Sequence, residues 1–151
     1  MSDKKLLGTH TISSLQELEL LATLVTEQFR IGDIVCLQGD LGAGKTTFVQ
    51  FVAQALGILD PVTSPTYTIM AEYDISDISR GIKKLIHIDA YRESMDTNYV
   101  HEILRTAEDQ KAVVLIEWPE KLGSEILQPH WNISITSIDN SGRIVVVSRV
   151  E

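Results

Sequence analysis

Apolar residues along this chain switch between two spacings, and the switch points outline its elements. Leu18, Leu21, Ala22, Val25 and Phe29 recur every three or four positions, the period of a helix with one buried stripe. Ser14-Leu15-Gln16-Glu17 opens that helix in the form of a capping box. Gly32-Asp33 then turns the chain into Ile34-Val35-Cys36-Leu37, a continuous apolar run of the kind a buried parallel strand requires. A second helical stripe, Phe48, Phe51, Val52, Ala55 and Leu56, stops at Gly57.

The second half is richer in strands. Pro61-Val62-Thr63-Ser64-Pro65 is non-helical, and Thr66 to Tyr73, rich in Thr, Tyr and Ile, predicts a strand. Leu85-Ile86-His87-Ile88-Asp89 is another strand and ends in an acid. Ala112 to Ile116 is wholly apolar and is followed by Glu117. A helix is predicted between about Asp96 and Glu108. Ile133-Ser134-Ile135-Thr136 and Ile144 to Ser148 form two closing strands around the turn Asp139-Asn140-Ser141-Gly142. The pattern predicts one α/β domain over residues 1–151, with a mixed, mostly parallel sheet, helices on both faces and a C-terminal hairpin.

Composition narrows the class. At 151 residues, 44% hydrophobic and 23% charged, the chain suits a globular domain. A domain of this size buries roughly two-thirds of its unfolded surface. No run approaches the ~20 apolar residues of a membrane span, and the first residues lack the apolar stretch of a secretory signal. A cytoplasmic location is the expectation. The single cysteine, Cys36, excludes an internal disulfide and reads as a small core hydrophobe. A formal net charge of -8 argues against a surface that grips nucleic acid directly, because phosphate-backbone affinity comes from Lys and Arg.

The chemistry is concentrated in Gly39-Asp40-Leu41-Gly42-Ala43-Gly44-Lys45-Thr46, a complete G-x-x-x-x-G-K-[ST] phosphate-binding loop. Its glycines let successive backbone N–H groups turn toward phosphate oxygens. Lys45 can reach the β- and γ-phosphates, the Thr46 hydroxyl can sit on Mg²⁺, and the next helix aims its positive end at the anion. Strand, loop and helix follow in the order this chemistry needs. Asp89 and Glu117 stand at carboxyl ends of apolar strands, the edge where open α/β sheets bind ligands. Either acid suits Mg²⁺, or the orientation of an attacking water. Lys45, Asp89 and Glu117 are the candidate catalytic residues. Ser64 and Thr66, flanking Pro65, offer hydroxyls for a γ-phosphate sensor. His87 lies on the same strand face as Asp89 and reads as a packed or hydrogen-bonded residue. Trp118 reads as core packing or as a stacking surface.

Four strings together resemble the TsaE (YjeE) family of P-loop ATPases in bacterial tRNA threonylcarbamoyladenosine biosynthesis. They are Gly39 to Phe48, Ser64-Pro65-Thr66-Tyr67-Thr68 with Glu72-Tyr73, His87-Ile88-Asp89-Ala90-Tyr91-Arg92, and Ile116-Glu117-Trp118-Pro119. The resemblance spans roughly residues 10 to 150. It implies a P-loop NTPase-like domain binding ATP or ADP through Leu41, Gly42, Ala43, Gly44, Lys45, Thr46 and Thr47. It implies Mg²⁺ on Thr46 and Glu117, with Asp89 in a Walker-B-like place, a switch-like loop at Ser64 to Thr66, and Gly142 near the nucleotide. It also implies TsaD- and TsaB-like partners, with tRNA met only through that complex. Two strings depart from the family: Glu93 stands where Leu is usual, and Leu104-Arg105-Thr106-Ala107-Glu108-Asp109-Gln110 replaces a Gly-x-x-x-Tyr string. Two rival readings stay open. A small P-loop metabolite kinase would yield a phosphorylated product. A nucleotide-gated adaptor would not need Asp89 and Glu117.

Overall fold

The computed structural model describes residues 6–62, 70–77, 79–91, 96–123, 127–139 and 142–150. In chain order these form β1 (Gly8–Ile12), α1 (Leu15–Thr26), β2 (Ile34–Gln38), α2 (Lys45–Ala55), β3 (Met70–Asp74), β4 (Lys84–Asp89), α3 (Thr97–Thr106), β5 (Ala112–Glu117), a 3₁₀ turn (Pro119–Lys121), β6 (Trp131–Ser137) and β7 (Arg143–Arg149). The seven strands make one mixed sheet in the order β1-β7-β6-β2-β5-β4-β3.

The parallel core is β6, β2, β5 and β4. β3 joins β4 antiparallel at one edge, and β7 and β1 continue antiparallel at the other. The sheet is therefore evenly divided among the described strands, three parallel and three antiparallel pairings, rather than mostly parallel. β1 accounts for part of the difference. Gly8-Thr9-His10-Thr11-Ile12 shows too little apolar alternation to announce itself, and it pairs only because β7 offers a free edge.

Alternating side chains on the parallel strands feed two cores. Leu85, Val113 and Leu115 pack with α1 and α2 on one face. Ile86, Val114 and Ile116 pack with α3 on the other. Helices thus cover both faces, as the pattern predicts. The stripe predicted for α1 is buried in full, with Leu18, Leu21, Ala22 and Val25 on the helix and Phe29 just beyond its end at Thr26. The α2 stripe is rotated slightly: Phe48, Val49, Val52, Ala53 and Leu56 are buried, Phe51 is half-buried and Ala55 is exposed.

Local signals act as their chemistry requires. Ser14 Oγ accepts from Glu17 N–H at 3.2 Å, while the Glu17 carboxylate takes the Ser13 N–H at 3.0 Å instead of the cap residue's own. α2 ends in a Schellman motif, with Ile58 N–H on Ala53 C=O and Gly57 N–H on Gln54 C=O, and Gly57 at φ 83°. The divergent Leu104–Gln110 string forms the end of α3 and the bend before β5. Leu104 and Ala107 are buried beneath the sheet, and Lys111 takes the left-handed conformation, φ 56°, that lets the Ala112 N–H reach Ala107 C=O. No described helix is long and apolar enough to cross a membrane.

Candidate functional site

β2, β4 and β5 run side by side and end together, with Gln38, Asp89 and Glu117 at their carboxyl ends. The chain leaves β2 through Gly39 to Gly44 and enters α2 at Lys45, so the loop lies directly above this edge. Gly39 is required by close approach: a Cβ there would meet the Ile135 carbonyl at 2.4 Å. Gly44 caps α2 at φ 113° and ψ 15°, a conformation unfavourable for any residue with a side chain. It has no capping side chain, which leaves the first N–H groups of α2 directed at the cleft.

That cleft, about 270 Å³, is lined by Asp40, Leu41, Gly42, Gly44, Lys45, Thr46, Thr47, Asp89, Tyr91, Glu117 and Trp118. Among the loop residues predicted to bind nucleotide, only Ala43 is absent from its wall, being buried behind the loop. Leu41 stands at the tip, 71% exposed.

Lys45 is held at the cleft by its own loop. Its ammonium donates to the carbonyls of Gly39 and Asp40 and lies 3.9 Å from the centre of the Trp118 ring. Burial pushes the amine below its ordinary value, and the carboxylates of Glu117, Glu120, Asp89 and Asp40 pull it back up. Trp118 reaches this position because its backbone is left-handed, φ 61° and ψ 50°. That is uncommon for a bulky residue and costs on the order of 1–2 kcal/mol. Its ring also packs on Tyr91, centroids 4.9 Å apart. The half-buried ring therefore does both: it walls the cleft and packs against the core beneath α3.

The two acids differ in surroundings. Asp89 is half-buried, and one oxygen accepts the Tyr91 N–H at 3.1 Å. Glu117 is buried; Oε1 lies 3.5 Å from the Thr46 hydroxyl and Oε2 lies 2.6 Å from His87 Nε2. Hard oxygen donors from Thr46, Glu117 and Asp89 thus face one space. Among the described residues no group of three or more His, Cys, Asp or Glu forms a cage for a metal. That donor set suits Mg²⁺, which keeps several waters and takes one or two carboxylates plus phosphate oxygens.

Ser64 and Thr66 lie outside the described residues. Gly142 sits in the turn of the β6–β7 hairpin, its N–H on Asp139 Oδ1 at 2.7 Å. The neighbouring Arg143, not singled out from the sequence, reaches the loop: its guanidinium donates to the Ala43 carbonyl at 2.9 Å. It lines a second cavity of about 390 Å³ behind the loop, with Ile12, Ser14, Leu15, Leu18, Gly42 and Thr47. The Gly-Arg string was the visible signal for this contact. The His87–Glu117 pair carried none, since the two residues are 30 positions apart.

Fold and cleft together define an α/β domain in which a glycine-rich loop, a helix N-terminus and two strand-end acids enclose one polar cleft. A family model described as "Threonylcarbamoyl adenosine biosynthesis protein TsaE" matches residues 12–145, and the chain belongs to the TsaE family. The tRNA threonylcarbamoyladenosine biosynthesis protein TsaE of Bacillus subtilis is 34% identical over 141 residues, covering 89% of this chain and 81% of that protein. The protein of the same name from Synechocystis is 40% identical over 101 residues, which span 65% of this chain and only 61% of that protein. The crystal structure of Bacillus subtilis YdiB superposes with a TM-score of 0.72 at 30% identity, covering 95% of this chain and 85% of that one.

Proposed function

We propose that the chain is a P-loop ATPase of tRNA threonylcarbamoyladenosine biosynthesis, binding ATP with Mg²⁺ and hydrolysing it in support of TsaD- and TsaB-like partners. The observation that carries this reading is the convergence of Lys45, Thr46, Asp89 and Glu117 on one cleft at the N-terminus of α2. The phosphates fit against the inward N–H groups of residues 42 to 46 and the positive end of the helix. The adjoining cavity shares Gly42 and Thr47 with the cleft and has apolar walls at Ile12, Leu15 and Leu18, suited to the base.

A bound Mg²⁺ would supply positive charge to offset the charge that develops on the phosphates. Thr46, Glu117 and Asp89 are the residues that would hold it. Lys45 leaves the Gly39 and Asp40 carbonyls for the terminal phosphates, exchanging weak backbone acceptors for a full negative charge. Asp89, with one oxygen free of the Tyr91 N–H, faces the space where an attacking water would stand. The net charge of -8 gives this chain little affinity for a phosphate backbone, which supports the reading that tRNA is met through the partners.

Phosphate release from ATP tests the reading, with and without the partner proteins. Lys45→Ala is expected to lower turnover by at least about a hundredfold. Near-normal turnover in the folded variant removes the assignment. Transfer of phosphate to a small acceptor, with no free phosphate released, replaces it with a kinase.

A further inference from the structure

His87 is fully buried on β4, between strands that are otherwise aliphatic at this depth. Strand register fixes what it meets. Asp89 is opposite Glu117 and His87 is opposite Leu115, so the imidazole lies one pleat below the acid on the same face. Its Nε2 stands 2.6 Å from Glu117 Oε2, and its Nδ1 has no hydrogen-bond partner among the described residues. Filling this space with an imidazole is costly, because an aliphatic residue would pack without desolvating two ring nitrogens. Among the described residues, the one polar contact the ring makes is with the acid of the cleft.

The consequence falls on the other carboxylate oxygen. The terminal torsion of a glutamate is broad, so an untethered carboxylate presents either oxygen in many orientations. With Oε2 held from behind, Oε1 is left beside the Thr46 hydroxyl, 3.5 Å away, on the cleft side. We propose that His87 is a positioning residue: its Nε2–H pins Glu117 so that Oε1 and the Thr46 hydroxyl stand as a preset pair of oxygen donors for the divalent cation accompanying a nucleotide. This inference rests on the nucleotide reading above.

Calorimetry of a non-hydrolysable ATP analogue binding to the whole chain, in Mg²⁺ and in EDTA, tests it. The wild type is expected to bind more tightly with Mg²⁺. His87→Leu is expected to lose about tenfold of that gain, as removing a group behind a metal ligand commonly does, with affinity in EDTA unchanged. His87→Gln extends an amide N–H toward the Nε2 position and is expected to restore the gain. His87→Asn is too short and is not. Should the Leu variant fail to fold, the Gln and Asn pair decides. Equal Mg²⁺ dependence in the wild type, Gln and Asn variants overturns the proposal, as does an equal loss of affinity in EDTA. A wild type that binds no analogue overturns the nucleotide reading itself, and this proposal with it.

Discussion

Asp33 and Glu117 are both buried acids, 6% and 3% exposed, standing at opposite ends of the parallel core. Asp33 precedes β2 at its amino end. Its Oδ2 accepts from Trp131 Nε1 at 3.0 Å and from the Arg30 N–H at 2.8 Å. Beside it, His130 Nδ1 accepts the Ile34 N–H, while the Asp33 carbonyl accepts the Val114 N–H. The carboxylate thereby fastens the start of β2 to β6, while the link to β5 is made by the backbone carbonyl. Glu117 ends β5 at the carboxyl edge. One oxygen is committed to His87, and the other, among the described residues, has only the long 3.5 Å contact with the Thr46 hydroxyl and faces a cleft. Residue class and burial are alike at the two ends. What separates them is where the remaining acceptor sites face: Asp33 takes both of these hydrogen bonds on Oδ2 at the amino end, while Glu117 turns Oε1 to the cleft, and only an oxygen facing open space can take a ligand.

Substitution should pull the two acids apart. The largest effect is expected at the open end. Glu117→Gln should lower ATP hydrolysis by about a hundredfold, the scale of a lost group acting on developing charge, with little change in melting temperature. Phosphate release measured beside a thermal melt checks this. Retained turnover would make Glu117 as structural as Asp33.

Asp33→Ala should show the reverse. It leaves Trp131 Nε1 and the Arg30 N–H without their acceptor, a loss on the order of 2–3 kcal/mol. At this chain length that lowers the melting temperature by about 5–10 °C, while analogue affinity at the distant cleft stays unchanged. Thermal denaturation and calorimetry on one sample separate the two readouts.

The smallest effect on the cleft's function is expected at Cys36, on β2 between the two ends. Burial, with Glu120 adding to it, pushes the thiol from 9.0 up to about 12. A group raised on folding contributes stability that is complete below its unfolded value and fades as pH climbs toward the folded one. Stability should therefore decline between 9.0 and about 12 from this group. Alkylation of the folded chain at mildly alkaline pH should be at least about a hundredfold slower than in denaturant. Rapid labelling would mean that β2 is open to solvent midway between its two ends.

Local rules made much of this molecule legible. The glycine-rich loop, the α1 stripe, the Gly57 stop and the acids closing β4 and β5 depend on residues a few positions apart, and the sequence displays those spacings directly. The α2 stripe was legible less sharply: Phe51 and Ala55 fit helical spacing, yet the buried face turned toward Val49 and Ala53. Period alone tells that a helix has a buried side, and packing on α1 selects which side. β1 was not legible, because a Thr-rich strand at an edge draws its stability from the partner strand more than from its own composition.

The sequence by itself determined the kinds of chemistry available: a loop able to turn its amides inward, a lysine and threonine at a helix start, and acids at strand ends. Tertiary structure alone decided which groups meet. It put Arg143 against the loop carbonyl of a residue 100 positions away. It joined Trp131 to Asp33 across 98 positions and His87 to Glu117 across 30. Strand order and register set those contacts, and both follow from burying two faces of one sheet at once, a condition no short window of sequence contains.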